Sequence, residues 1–229
     1  MGRDMDPMGG VAVDASPNTV RREPRWPASV AVAAALLLYA TLPDKLTLGP
    51  ALVIPALEAA LLIPLSIVAP TRHREETRLI RFTSLLLIAL VNVANIASLV
   101  LLVRLVLAGQ VLDGRQLIFS GIQIWLTLIL AFALWFWELD RGGPGFRGHA
   151  DERTPDFVFP QTSTPELHQP RWMPGFIDYL YVAFTNATAF SPTDALPLTQ
   201  RMKTLMLVES LASITTVVMV AGRAVNILK

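Results

Sequence analysis

Five stretches of this chain, residues 28–42, 46–57, 59–71, 82–103 and 116–137, contain no Asp, Glu, Lys or Arg, and they constrain the fold more than any other feature. About 20 apolar residues in a helix, at about 1.5 Å each, cover a hydrocarbon core of about 30 Å. Inside lipid every backbone N–H and C=O must be bonded within the protein, which leaves helices or closed barrels as spanning structures. Long runs without strict alternation point to helices. Composition agrees: 53% of the 229 residues are apolar and 16% are charged, the balance of a membrane protein. Helices are predicted near residues 28–43, 48–69, 79–108, 115–139 and 202–227, with a shorter one from Pro174 to Phe190. The expected fold class is an all-α membrane protein, multi-pass in the cell membrane and with the lipid bilayer as its first partner.

Domain organisation follows from the same pattern. Residues 1–27 read as a disordered tail, 28–140 as a four-helix membrane region, 141–172 as a soluble connector rich in glycine and proline, and 173–229 as a final module. Pro27 and Pro43 bracket a first run that is short for a perpendicular span, so a thin local bilayer or an extension toward Lys45 is needed. Arg21, Arg22 and Arg25 before this run are also compatible with a secretory signal. No small-residue cleavage site follows, so an uncleaved helix is expected.

Several chemistries are disfavoured at this level. The chain has no cysteine, which removes disulfides and thiolate chemistry. A net charge of +1 gives no reason to expect a nucleic-acid partner. His73, His149 and His168 are scattered through separate loops. With no Ser-His-Asp set, Walker loop or dinucleotide fingerprint, neither enzyme activity nor a cofactor or metal is expected.

The candidate functional residues are polar groups in apolar helices, because an intramembrane carboxylate is by default a functional-site hypothesis. Glu58 lies in the second helix between Pro55 and Pro64, where a kink could open a polar passage. Asn92 and Asn95 share a face of the third helix, and Gln116, Ser120, Gln123 and Thr127 form a stripe on the fourth. Interhelical hydrogen bonding accounts for both sets at about 0.6 kcal/mol per bond. Trp135, Phe136 and Trp137 mark the fourth helix's exit at headgroup level, with Glu138 and Arg141 one turn apart. Asp178 falls in the first turn of the short helix, where a carboxylate is favoured by the helix start. Glu209 lies inside the last helix with Ser213 and Thr216 at i+4 and i+7. It could face a pore, pair with another helix, titrate as a proton site, or reach headgroups.

Residues 185–199 read Thr-Asn-Ala-Thr-Ala-Phe-Ser-Pro-Thr-Asp-Ala-Leu-Pro-Leu-Thr. This segment resembles the pore loop of potassium channels with its selectivity filter rewritten. Thr188 takes the place of the first filter threonine, Ser191-Pro192-Thr193-Asp194 replaces Gly-Tyr-Gly-Asp, and Pro197 keeps its place three residues on. The resemblance implies that 174–190 is a short re-entrant pore-type helix and 202–227 an inner helix. It further implies a homotetramer handling monovalent cations, with Glu209 facing the cavity. Both filter glycines are missing, and Pro192 fixes φ near −65° where alternating left-handed dihedrals are required. Carbonyl coordination of the potassium type is therefore not expected. The hydroxyls of Thr188, Ser191 and Thr193 with the Asp194 carboxylate would form a wider, weakly selective ring. An ordinary interfacial turn with Thr193 or Asp194 capping a helix is the alternative. At the level of the whole chain, a non-conducting scaffold and a proton-coupled carrier using Glu58 or Glu209 are the rival functions.

Basic residues fix the expected orientation. Four helices before the connector put the N-terminal tail, residues 70–81 and the connector on one side, together with most of the 19 Lys and Arg. That side is predicted to be cytoplasmic. A potassium channel has its pore loop entering from the other side, so the pore would be inverted here, unless the first run does not span or the charge rule fails.

Overall fold

The computed structural model describes residues 24–49, 53–68, 78–109, 113–147, 153–164, 172–189 and 195–227. The fold is all-α. The helices are α1 (Trp26–Ala40), α2 (Val53–Val68), α3 (Arg78–Leu107), α4 (Gly114–Leu139), α5 (Pro160–Ser163), α6 (Phe176–Ala189) and α7 (Gln200–Ile227). Three segments, Leu79–Leu107, Gly114–Gly142 and Gln200–Arg223, are long and apolar enough to cross a membrane. The 15 residues of α1 and the 14 of α6 are shorter. At about 1.5 Å per residue α6 extends only about 21 Å, less than the hydrocarbon thickness. The tail up to residue 23 and parts of the connector lie outside the described residues.

Local chemistry explains where the helices begin and how their polar side chains are tolerated. Pro27 sits in the first turn of α1, where its missing N–H costs nothing. The Thr41 hydroxyl closes the other end by donating to the carbonyls of Leu37 and Leu38, each at 3.0 Å. Leu48 N–H then donates to the Tyr39 hydroxyl at 3.0 Å and folds the following loop back onto α1. Along α3 the hydroxyls of Thr83, Ser84 and Ser98 donate to carbonyls four residues earlier at 2.9, 3.0 and 3.1 Å. No polar group is left bare by those residues, which suits a helix in apolar surroundings.

α4 is the axis of the bundle, packed against α1, α3, α6 and α7. The Arg25 guanidinium lies 6.0 Å from the Trp137 ring, so α1 starts beside the end of α4. Gln123 Nε2 donates to Thr41 Oγ1 at 2.7 Å, which brings the end of α1 to the first half of α4. Arg81 lies 5.5 Å from the Phe146 ring just past α4, and Arg201 Nη2 donates to Leu139 O at 3.2 Å. α1, α3 and α7 therefore all start at the end where α4 finishes. This connector end collects Arg25, Arg81, Arg147 and Arg201. Toward the opposite end α4 and α7 approach closely at Gly121, where any Cβ would run into the Val220 side chain. Small residues at such crossings let helix backbones approach in membranes.

The chain leaves α4 through Arg141, Gly142 and Gly143, with φ of 56°, 88° and 102°. A Cβ at Gly143 would stand 2.9 Å from the Glu138 carbonyl oxygen, so both the dihedral and the space require glycine. Beyond this turn the connector is built onto the bundle. Its strand β1 (Phe157–Val158) pairs antiparallel with β2 (Leu196–Pro197), the two residues of Phe157 and Val158 facing Pro197 and Leu196. Phe157 lies 5.4 Å from Phe136, and Phe159 lies 5.5 Å from Tyr179 and 5.7 Å from Trp172. These edge-on aromatic contacts seat the connector over the ends of α4 and α6.

Candidate functional site

A buried polar cluster joins α4, α6 and α7. Glu209 is fully enclosed and stands about 14 Å along α7 from its start. Asn186 Nδ2 donates to Glu209 Oε2 at 2.7 Å and to the Met206 carbonyl at 2.9 Å. The Ser210 hydroxyl lies 3.2 Å from Asn186 Oδ1 and 3.4 Å from the Asn186 carbonyl. Ser213 donates to the Ala187 carbonyl at 2.6 Å and accepts from Trp125 Nε1 at 2.8 Å. Trp125 also packs edge-on against Phe184, with centroids 6.2 Å apart.

The arrangement answers a specific electrostatic problem. The last four carbonyls of a helix have no partner within it, and once buried away from water they need another donor. Two of these carbonyls in α6, those of Asn186 and Ala187, are served by hydroxyls of α7. One carboxylate oxygen, Glu209 Oε1, has no hydrogen-bond partner among the described residues. It keeps lone pairs for a proton or a cation.

The residues predicted from sequence fall in several different places. Thr188 is in the last turn of α6, exposed, with its hydroxyl donating to Phe184 O at 2.8 Å. Ser191, Pro192, Thr193 and Asp194 lie outside the described residues. Glu209, Ser213 and Thr216 do share one face, as their spacing requires, and that face is buried against this chain's own helices. The outward face of α7 carries Leu207, Leu211, Ile214 and Val218 instead. Glu58 and Asn95 are buried in the α1–α2–α3 part of the bundle, each 1% exposed, while Asn92 is only half-buried. Asp178 Oδ2 accepts from Gly175 N at 2.7 Å and so serves the start of α6.

A second polar cluster, absent from the sequence reading, holds the connector end together. Asp140 Oδ1 accepts from the backbone N–H groups of Asp156 and Phe157 at 2.7 and 3.3 Å, and its Oδ2 accepts from the Tyr179 hydroxyl at 2.5 Å. Asp156 is in turn gripped by Arg201, whose Nε lies 2.8 Å from Oδ1 and whose Nη2 reaches Oδ2. The Thr199 hydroxyl donates to Asp156 Oδ1 at 2.7 Å, and Leu198 N–H to the Asp156 carbonyl at 2.8 Å. Arg147 donates to the Trp137 carbonyl and lies 4.9 Å from the Tyr179 ring. A two-point Arg–carboxylate pair with further donors on the same anion is a strong, directional tie.

Taken together, the two clusters fix how α6 and α7 sit against α4 and each other. Tyr179, in the first turn of α6, meets Asp140 at the connector end, and Asn186 and Ala187 meet Glu209 and Ser213 deep in the bundle. Arg201, at the start of α7, is back at the connector end. Among the described residues no three His, Asp or Glu gather as a metal site. No protein-family model, no curated protein and no solved structure matches the chain.

Proposed function

We propose that this chain is a multi-pass membrane protein with five crossings, in which α6 is a re-entrant pore-type helix and the α6–α7 module passes monovalent cations with weak selectivity when four copies surround an axis. One observation carries the reading: α6 and α7 both enter the bundle from the connector end, and the end of α6 is bonded at depth by the Ser210 and Ser213 hydroxyls. A 14-residue helix that returns to its starting side, with its last carbonyls served by protein, meets the physical requirement for irregular chain inside a bilayer. With most basic residues at the connector end, that end is cytoplasmic, and the module is inverted relative to potassium channels. The residues at the mouth are Thr188, Ser191, Pro192, Thr193 and Asp194.

The test is cation flux in liposomes containing the purified protein. The proposal expects flux above that of empty vesicles and its loss, by at least about tenfold, in Asp194→Ala. Flux at background in the wild type would leave a non-conducting scaffold.

A second reading, a proton-coupled carrier working through Glu58 or Glu209, is favoured by the near-complete burial of both carboxylates. It expects uptake driven by a pH gradient that disappears in Glu58→Gln or Glu209→Gln and survives Asp194→Ala.

A further inference from the structure

Two apolar features built from different helices are covered by none of the described residues. One is a groove of about 670 Å³ between α1, α4 and α6, walled by Leu37, Leu126, Leu130, Ile177, Tyr181 and Phe184. The other is a ridge along α7, where Leu207, Leu211, Ile214 and Val218 stand at i, i+4, i+7 and i+11 and are 43 to 60% exposed. Lipid suits any apolar face, so apolarity does not choose an occupant. Shape, height and charge do.

Groove and ridge stand at the same height in the bundle. Trp125, next to Leu126, bonds to Ser213 and packs on Phe184, while Gln123 bonds to Thr41, four residues beyond Leu37. Leu37, Leu126, Phe184 and Leu211 therefore lie within about one helical turn of a common level. Charge follows the same alignment. Lys203 is exposed and heads the ridge, four residues before Leu207. Asp178 is partly exposed and adjoins Ile177 at the connector end of the groove. Each is within two residues of the Asp140 and Asp156 cluster, through Tyr179 and Arg201 respectively, so the two charges share a level as well. Among the described residues neither makes an ion pair. We propose that the α7 ridge of one copy of this chain seats in the α1–α4–α6 groove of the next, with Lys203 facing Asp178 across the contact. Copies in a membrane share one orientation and depth, so a ridge and a groove that join them have to match in height. A contact between two different patches passes from copy to copy and closes as a ring when the rotation returns to its start. This interface rests on the four-copy reading above and names the surfaces that join the copies.

The experiment is disulfide formation in membranes holding the full chain, which has no cysteine of its own, under an oxidant that joins only thiols in contact. Leu37→Cys combined with Leu211→Cys gives each copy one thiol in the groove and one on the ridge, and a ladder up to the tetramer is expected. Either variant alone stays monomeric, and a mixture of the two gives a dimer. In the paired background Lys203→Glu is expected to slow ladder formation about tenfold, because like charges then face each other. Adding Asp178→Lys restores the rate. That last variant also loses the bond from Gly175 N to Asp178, so restoration reads the charge pair and not the start of α6. Monomer in the paired variant overturns the proposal and leaves lipid in the groove. A dimer from Leu211→Cys alone overturns it by placing ridge against ridge, and so does a rate that Asp178→Lys fails to restore. Cation flux without a ladder would keep the pore-type reading and remove this interface, and a ladder without flux would do the reverse.

Discussion

Asn186 and Asp140 do the most to define this molecule at the scale of single residues, and each makes a distinct prediction. Asn186 bridges Met206 and Glu209 through one amide nitrogen. Glu209→Gln retains an oxygen to accept that bond and is expected to leave Tm within a few degrees of wild type. Glu209→Leu removes the acceptor, and a loss of about 1 kcal/mol is expected, since intramembrane hydrogen bonds average about 0.6 and reach about 1.7. Detergent-solubilised thermal unfolding of the pair reads the difference. Asp140 serves two N–H groups and the Tyr179 hydroxyl from a fully enclosed carboxylate. Asp140→Ala strands all three, so a loss of about 3 kcal/mol or more is expected. Tyr179→Phe removes one bond only and is expected to lose about 1 kcal/mol. Equal losses in the two variants would show that Asp140 is not the hub. Glu58 and Glu209 stand out in the sequence because charge inside an apolar run is conspicuous. Asp140, Asp156 and Arg201 do not, because these hydrogen-bond partners lie 16 to 62 residues away through a segment without periodicity.

At the scale of elements, the apolar runs translate into helices with small shifts of boundary. The helix predicted at 79–108 forms α3 from Arg78 to Leu107, and that predicted at 115–139 forms α4 from Gly114 to Leu139. Chemistry at the ends accounts for the differences: Thr41 closes α1 at Ala40, ahead of Pro43, by bonding back to Leu37 and Leu38. The strands β1 and β2 were not legible, since two residues cannot display an alternation. The crossing of α4 and α7 was not legible either. Gly121 reads as an isolated glycine in a helix, and only the Val220 side chain against it explains its size. Gly121→Val is expected to force α7 away from α4 and to weaken the Trp125–Ser213 bond. The readout is a change in Trp fluorescence with a lowered Tm, while Gly222→Val, at a position with open space around its α-carbon, leaves both unchanged.

For the whole molecule, orientation and assembly decide between the functions. Reporters placed near Gly148 and at the C-terminus are expected to report the cytoplasm for the first and the opposite side for the second. An outside connector would reverse the charge argument and restore the potassium-channel orientation. The absence of native cysteine makes single-cysteine cross-linking clean. Leu211→Cys, on the exposed apolar face of α7, is expected to give a dimer with a bifunctional maleimide, since one thiol per chain can join chains only in pairs, and a monomer-only pattern would remove the four-copy pore. The bonding of the α6 end by Ser210 and Ser213 also bears on how the protein is made. During synthesis α6 emerges before the hydroxyls that will serve its last carbonyls, and it is too short to be handed to lipid as a span of its own. On the re-entrant reading, a nascent chain stopped at Thr199 holds an α6 whose Asn186 and Ala187 carbonyls are still unserved, so α7 must be in place before α6 can settle at depth.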